Sequence, residues 1–267
     1  HVTDLLTGWA VEYIGQRSRH ETPFFLFLSH LAPHFPVQPP EAWLERVKER
    51  EPDISETRAK LVAFIEHLDE GIGEVIAALK EAGTYENTLI VFTSDNGGRL
   101  ADEANNGPYR DGKQSVYEGG LKVPAVAMWP GHIESGSVSE RLILTMDLFP
   151  TFMDAAGISY DGPLNGTSFF PTLMGKEQQT HREDPLYFTR REGGMRYGGL
   201  TIQAVRLGDW KLLQNSPFEP RELYHLGKDP YEQENLVDQY PEKVEELNTL
   251  LMKHIQKSGA VPWQKPD

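Results

Sequence analysis

The chain has 267 residues, enough for one large α/β domain or for one domain with a smaller appendage. Its 26 Lys and Arg residues against 40 Asp and Glu residues give a net charge of -14. This balance argues against a nucleic acid or an anionic membrane as the main partner, since either needs a basic surface. The sequence contains no run of about 18 apolar residues that could span a membrane. Cysteine is absent, which excludes disulfides, thiolate metal sites and a cysteine nucleophile within the chain.

The first predicted element is an amphipathic helix whose apolar residues recur at helical spacing between Leu5 and Ile14. The chain opens inside this helix and without a methionine, so we expect it to be a piece of a longer protein. The uniformly apolar run of residues 23–28 predicts a strand buried on both faces. This strand leads into a proline-rich loop that carries His34.

A long helix is predicted next, because the apolar residues between positions 61 and 79 keep to spacings of three and four. Asp53 and Glu56 predict a capping box at its start, and Gly83 is expected to end it. The apolar run that begins at residue 89 and reaches Ser94 predicts another strand. Strand, helix and strand together predict a βαβ unit with parallel strands.

The following elements complete an α/β fold. One strand and two helices are predicted over residues 123–129, 148–156 and 169–174. Short strand-like runs then alternate with glycine, proline and acidic turns, and an amphipathic helix extends from Pro241 to about Ile255. We therefore predict a partial three-layer α/β/α domain over residues 1–176 and a small antiparallel sheet with a helix over residues 177–267.

Side chains suited to catalysis follow the predicted strands. Asp95 and Asn96 stand at a strand end before a glycine turn, and their oxygens suit a hard cation such as Ca²⁺ or Mg²⁺. His34 follows the first strand, and Lys113 lies in a glycine-rich loop after Asn96. If the sheet is parallel, these loops emerge at one edge. A cation, an ammonium and an imidazole meeting there would bind a tetrahedral oxyanion and stabilise the leaving oxygen of an ester.

Each of these features also has an ordinary structural interpretation. Asp-Asn-Gly is a common turn, and a single histidine or lysine in a loop is usually a surface residue. Glu118, within the turn that ends at Gly120, is interpreted as a hydrogen-bonding brace rather than a catalyst.

The order and spacing of several short motifs resemble the sulfatase family of the alkaline-phosphatase superfamily, over nearly the whole chain. These motifs are His30-x-x-Pro33-His34-x-Pro36, Thr93-Ser94-Asp95-Asn96-Gly97-Gly98, Gly112-Lys113 with Glu118-Gly119-Gly120, and Gly208-Asp209-Trp210-Lys211. The resemblance implies an alkaline-phosphatase-like fold and an arylsulfatase-like sulfuric ester hydrolase. It also implies that Asp95 and Asn96 bind a divalent cation, usually calcium, and that Lys113 and His34 contact the sulfate and assist departure of the leaving group.

Two parts of the family pattern do not occur in this sequence. One is the Cys/Ser-x-Pro-Ser-Arg motif that yields the formylglycine nucleophile, and the other is an early Asp-Asp pair that completes the metal site. The chain therefore resembles the second half of a sulfatase, and we expect it to be inactive alone. Two side-chain ligands fall short of the six to eight oxygens that Ca²⁺ takes, so tight metal binding by this piece alone is not expected.

Two other functions stay open at this point. A phosphatase or phosphodiesterase of the same superfamily commonly holds two zinc ions and places histidine beside the aspartate. Here Asn96 takes that position, and an amide oxygen favours a hard ion over Zn²⁺. The second alternative is a non-catalytic fragment that acts as a scaffold, because the nucleophile motif is missing.

The substrate is the least specified part of the prediction. The resemblance implies a sulfated small molecule or glycan as partner, and a periplasmic or secreted location, since family members are often exported. Positive charge concentrates in the appended region, at His181, Arg182, Arg190, Arg191 and Arg196. Our hypothesis is that Arg190 and Arg191 are among those that bind a sulfated sugar. Ion pairing with nearby acids is the alternative.

Overall fold

The fold is described from a computed structural model for residues 1–176, 182–191 and 201–259. Its first part is helical, with α1 over Val2–Arg17, α2 over Glu41–Arg50 and α3 over Glu56–Glu81. Both α1 and α2 pack on α3. Gly71 permits the close approach of α1, because a Cβ at this position would lie 2.6 Å from Oγ1 of Thr7.

The long helix α3 forms where its apolar spacing predicts it. Gly83, with φ +69°, follows the helix and confirms the predicted end. The predicted capping box is wrong. The N-cap is Ser55, whose hydroxyl accepts from the backbone amide of Arg58 at 3.1 Å. Glu56 is therefore the first helical residue, and Asp53 lies too early in the chain to cap the helix.

The predicted βαβ unit does not form. Residues 23–28 are not assigned as a strand, and Phe25 and Phe27 are 66% and 80% exposed. Strand β1, over Ile90–Thr93, pairs antiparallel with β2, over Ala125–Met128. An apolar run shows that a segment suits a strand, but its direction and pairing depend on which partner lies beside it.

Short elements connect and follow this strand pair. The helices α4, α5 and α6 cover Glu118–Leu121, Leu148–Ala155 and Phe170–Leu173, and 3₁₀ turns cover Tyr85–Asn87, Leu100–Asp102 and Thr145–Asp147. The predictions of helices over residues 148–156 and 169–174 are confirmed.

The C-terminal part contains the predicted antiparallel sheet and helix. Strands β3, β4, β5 and β6 cover Leu186–Arg191, Thr201–Leu207, Trp210–Gln214 and Glu222–His225, and they lie in that order in the sheet. Helix α7 extends over Pro241–Gly259. The predicted α/β class is thus confirmed. The predicted boundary after residue 176 remains a prediction, because residues 177–181 lie outside the described part.

The two faces of this sheet are covered by different elements, as the alternation of side chains along a strand requires. On one face, Leu212 and Leu223 pack with α7 residues such as Leu247. On the opposite face, Leu213 and Tyr224 pack against the segment that contains Val116 and Tyr117. The loop that carries Lys113 therefore packs on the sheet.

Within the described ranges, no helix combines the length and the apolar character needed to cross a bilayer.

Candidate active site

The turn that bears Asp95 and Asn96 begins directly after β1. Backbone hydrogen bonds link it to the loop that bears Lys113. The amide of Gly97 donates to the carbonyl oxygen of Gly120 at 2.9 Å, and the amide of Lys113 donates to that of Gly98 at 3.0 Å. These bonds place Lys113 and the Asp95–Asn96 pair in adjoining loops, although β1 and β2 are antiparallel and not the parallel strands on which the prediction of one shared edge depends.

Asn106 lies between these two loops and was missed by sequence reasoning. Its Oδ1 accepts from the amide of Gly98 at 2.7 Å. Its Nδ2 donates to the carbonyl oxygens of Gly98 and Asp111, each at 3.0 Å. Only the Asn105-Asn106-Gly107 sequence hints at a turn here, so its bridging contacts could not be predicted.

Glycine is required where the two loops touch. A Cβ at Gly97 would lie 1.8 Å from the carbonyl oxygen of Gly119, and a Cβ at Gly112 would lie 2.4 Å from that of Gly98. Both neighbours are backbone atoms, which cannot move away as a flexible side chain can. The Gly97-Gly98 and Gly112-Lys113 motifs thus allow close contact between two backbones.

His34 lies in an exposed loop that contacts the segment after Gly98 through its neighbour Phe35. The ring of Phe35, its neighbour in sequence, is covered by the guanidinium of Arg99, with Cζ 5.3 Å from the ring centroid. Nδ1 of His34 lies 2.7 Å from the carbonyl oxygen of Phe35. Because a carbonyl only accepts, Nδ1 must carry the hydrogen, and Nε2 is then the atom that can exchange a proton with a ligand.

Unlike His34, the other predicted ligands of the metal and the sulfate have side chains that meet no polar partner in the described part of the chain. Within the described ranges, the side chains of Asp95, Asn96 and Lys113 form no hydrogen bond or ion pair. A carboxylate and a carboxamide in sequence offer hard oxygen donors, which fit Ca²⁺ or Mg²⁺ better than Zn²⁺. The individual roles of these residues stay predictions.

The candidate substrate-binding arginines differ in their surroundings. Nη1 of Arg182 lies 2.8 and 2.7 Å from the two carboxylate oxygens of the buried Asp147, so Arg182 forms the structural ion pair given as the alternative. Arg190 donates from Nη1 to the carbonyl oxygen of Gln114 at 2.8 Å, which places it against the Lys113 loop. Arg191 is exposed at the end of β3. His181 and Arg196 lie outside the described residues.

Glu118 is held by buried polar contacts, which confirms its interpretation as a brace. Its Oε1 lies 2.8 Å from Nζ of the fully buried Lys211. The motif Asp209-Trp210-Lys211 is visible in the sequence, but its contact with Glu118 is not.

The α/β body, the small antiparallel sheet and the two hydrogen-bonded loops between them define a protein with an alkaline-phosphatase-like fold. Two family models match the chain: Sulfatase over residues 2–158, and N-sulphoglucosamine sulphohydrolase, C-terminal, over residues 109–260. The chain belongs to the sulfatase family.

Relatives and solved structures agree with this assignment. N-acetylgalactosamine-6-sulfatase of Mus musculus is 30% identical over 99% of this chain and 54% of that protein. A sulfatase of Formosa agariphila is 32% identical over 90% of this chain and 47% of that protein. The crystal structure of Ps i-CgsB in complex with k-i-k-neocarrahexaose has a TM-score of 0.84 at 30% identity, covering 95% of this chain and 54% of that chain. This chain spans about half the length of the curated relatives that it matches.

Proposed function

We propose that the polypeptide that contains this chain hydrolyses sulfate monoesters and that this chain supplies half of its active site. The observation that carries the proposal is the link between the Asp95–Asn96 turn and the Lys113 loop. Two backbone hydrogen bonds, donated by the amides of Gly97 and Lys113, form this link. The family membership supports the reaction class. The nucleophile, a formylglycine in this family's pattern, comes from outside the chain.

Asp95 and Asn96 are the residues that would hold the divalent cation, with further ligands from the rest of the polypeptide or from water. Their oxygen donors favour calcium, and Mg²⁺ has the same ligand preference. When bound, the cation supplies a positive charge that polarises a sulfate oxygen.

Lys113 and His34 act on the sulfate and on the leaving oxygen. The ammonium of Lys113 supplies a fixed positive charge where negative charge grows in the transition state. The hydrogen bond from Nδ1 of His34 to the Phe35 carbonyl leaves Nε2, when protonated, to donate to the departing alkoxide.

A sulfated glycan is the substrate class that we propose. Two named proteins similar to this chain are an N-acetylgalactosamine-6-sulfatase and a protein solved with a neocarrahexaose. Arg190, beside the Lys113 loop, and the exposed Arg191 offer guanidinium groups that suit sulfate or carboxylate groups of a sugar chain.

The test is hydrolysis of 4-nitrophenyl sulfate and 4-nitrophenyl phosphate by the polypeptide expressed from its complete open reading frame. We expect a kcat/KM for the sulfate ester well above that for the phosphate ester. A preference for phosphate would favour the phosphatase alternative instead. If the complete reading frame lacks a Cys/Ser-x-Pro-Ser-Arg motif and the polypeptide hydrolyses neither ester, the non-catalytic scaffold is the function that remains.

A further inference from the structure

Lys211, Glu118 and Glu232 form a buried ion cluster beneath the Lys113 loop. Nζ of Lys211 lies 2.8 Å from Oε1 of Glu118 and 2.8 Å from Oε1 of Glu232. Oε2 of Glu232 also accepts from the backbone amide of Glu118 at 2.6 Å. Glu118 is thus held at both its side chain and its backbone, by one residue of β5 and one that follows β6.

The charges in this cluster balance. Nη1 of Arg206, on β4, lies 4.0 Å from Oε2 of Glu118, so two cations face two carboxylates. Burying such groups carries a desolvation penalty, and apolar residues of similar volume usually give equal or greater stability. What apolar residues would not supply is a fixed position of Glu118 relative to the sheet. The cluster therefore fits a role in positioning Glu118 better than a role in stabilising the fold.

A second set of polar contacts joins the same loop to the same face of the sheet. Arg110 donates to the hydroxyl of Tyr224 at 2.7 Å and to the carbonyl oxygen of Glu232 at 3.0 Å. The hydroxyl of Tyr117 lies 2.8 and 2.7 Å from the two oxygens of Glu222. Both sides of the loop are therefore fixed to the C-terminal sheet, and Lys113 lies between them.

We propose that Lys211 and Glu232 are positioning residues for Lys113, acting through Glu118. These two residues are added to the proposed active site, and the identity of the reaction rests on the proposed function. The C-terminal sheet then supports the Lys113 loop. The hydrogen bond from the Lys113 amide to the carbonyl oxygen of Gly98 links this loop to the Asp95–Asn96 turn. Weakening the contacts between the sheet and the loop should displace the ammonium of Lys113 without removing any group that contacts the substrate.

The test is a charge-matched double variant of the complete polypeptide, Lys211→Met with Glu232→Gln. It removes one cation and one carboxylate, leaves Glu118 with Arg206, and keeps an oxygen that can accept from the Glu118 amide. We expect amide hydrogen exchange of residues 112–120 to become about tenfold faster or more. For 4-nitrophenyl sulfate, kcat should fall by about tenfold or more while KM changes by less than about twofold, as expected when a transition-state group is misplaced.

Arg182→Met with Asp147→Asn is the matched control, because it also removes one cation and one carboxylate of a buried ion pair, and the described hydrogen bonds of the Asp147 carboxylate go to Arg182 and to the amides of Leu144 and Thr167. This control should leave both the exchange of residues 112–120 and kcat as in the wild type. If the double variant shows no cooperative unfolding transition, Glu232→Gln alone, which keeps the shape of the side chain, is measured in the same way.

Wild-type exchange over residues 112–120 in the folded variant would overturn the proposal, as would wild-type kcat. If the wild-type polypeptide hydrolyses no sulfate ester, the proposed function fails. The positioning of the loop by Lys211 and Glu232 is then judged by the exchange rates alone.

Discussion

The backbone amide of Lys113 donates a hydrogen bond of 3.0 Å to the carbonyl oxygen of Gly98. Gly98 lies two residues after Asn96, so this bond links the loop that carries the ammonium to the turn that carries the oxygen donors. Backbone hydrogen bonds between two loops fix relative position more firmly than contacts between flexible side chains. The spacing of charge at the proposed sulfate site therefore depends on this contact.

Gly97→Ala should disrupt the site. The new Cβ would lie 1.8 Å from the carbonyl oxygen and 2.8 Å from the carbonyl carbon of Gly119, so one of the two loops must move. We expect a loss of stability at the upper end of the about 1–3 kcal/mol typical of overpacking, measured by urea denaturation.

Gly73→Ala is the control for this change, since a Cβ there would have no heavy atom within 4 Å beyond the adjacent backbone of its own helix, α3. It should raise stability by about 0.5–1 kcal/mol, because alanine is the better helix former. Equal effects of the two substitutions would contradict the close contact between Gly97 and Gly119.

Calcium should stabilise the complete polypeptide through Asp95 and Asn96. A ligand present at about 100 times its Kd adds about 2.7 kcal/mol to the free energy of unfolding. Asp95→Ala and Asn96→Ala should each reduce this gain, as followed by thermal unfolding after chelation and re-addition of Ca²⁺. Asp53→Ala, at an exposed carboxylate before α3, is the control. A full calcium effect in Asp95→Ala would remove that residue from the metal site.

Stability should fall in acid because of His30. Burial, together with the nearby charge of His67, lowers the pKa of His30 from 6.5. The unfolded chain therefore takes up this proton at a higher pH than the folded protein does, and the free energy of unfolding falls as the pH drops below 6.5. Above that pH both states hold a neutral imidazole and the effect is absent.

His30→Gln removes the titrating group and isolates this contribution. Its free energy of unfolding should decline less steeply than that of the wild type as the pH is lowered from neutrality to about 5. Urea denaturation at a series of pH values measures both curves. Parallel curves would show that His30 protonates alike in the folded and unfolded states.

Arg190 and Arg191 should contribute to the binding of a sulfated glycan. Replacing both with alanine in the complete polypeptide should raise KM for the glycan by about tenfold, the loss of one or two charge-assisted hydrogen bonds. KM for 4-nitrophenyl sulfate, which lacks the sugar chain, should change little. Unchanged KM for the glycan would reject this role.

The sequence predicts those parts of the fold in which neighbours along the chain determine the structure. The periodicity of α3 and the glycine that ends it are local features, and both are confirmed. The alternation of Leu212 and Leu213 between the two faces of β5 likewise follows from strand geometry.

Features that depend on distant partners were not predictable. Residues 23–28 have an apolar composition typical of a buried strand, yet in the described ranges they pair with no strand. The direction of β2 relative to β1 is set by packing, not by periodicity. A lysine at position 211 gives no sign that it is buried against a glutamate 93 residues earlier. For the site, residue types and order identified the candidate side chains, whereas the hydrogen bonds between their loops and the contacts of Asn106 and Glu232 emerged only in three dimensions.

Turnover of the Lys113→Ala variant of the complete polypeptide tests the central claim most directly, with 4-nitrophenyl sulfate as substrate. If Lys113 stabilises the transition state of sulfate transfer, kcat should fall by about 10²–10³-fold or more relative to the wild type. Lys80→Ala, at an exposed lysine near the end of α3, should retain wild-type kcat. Near-normal kcat in Lys113→Ala would contradict the proposed active site.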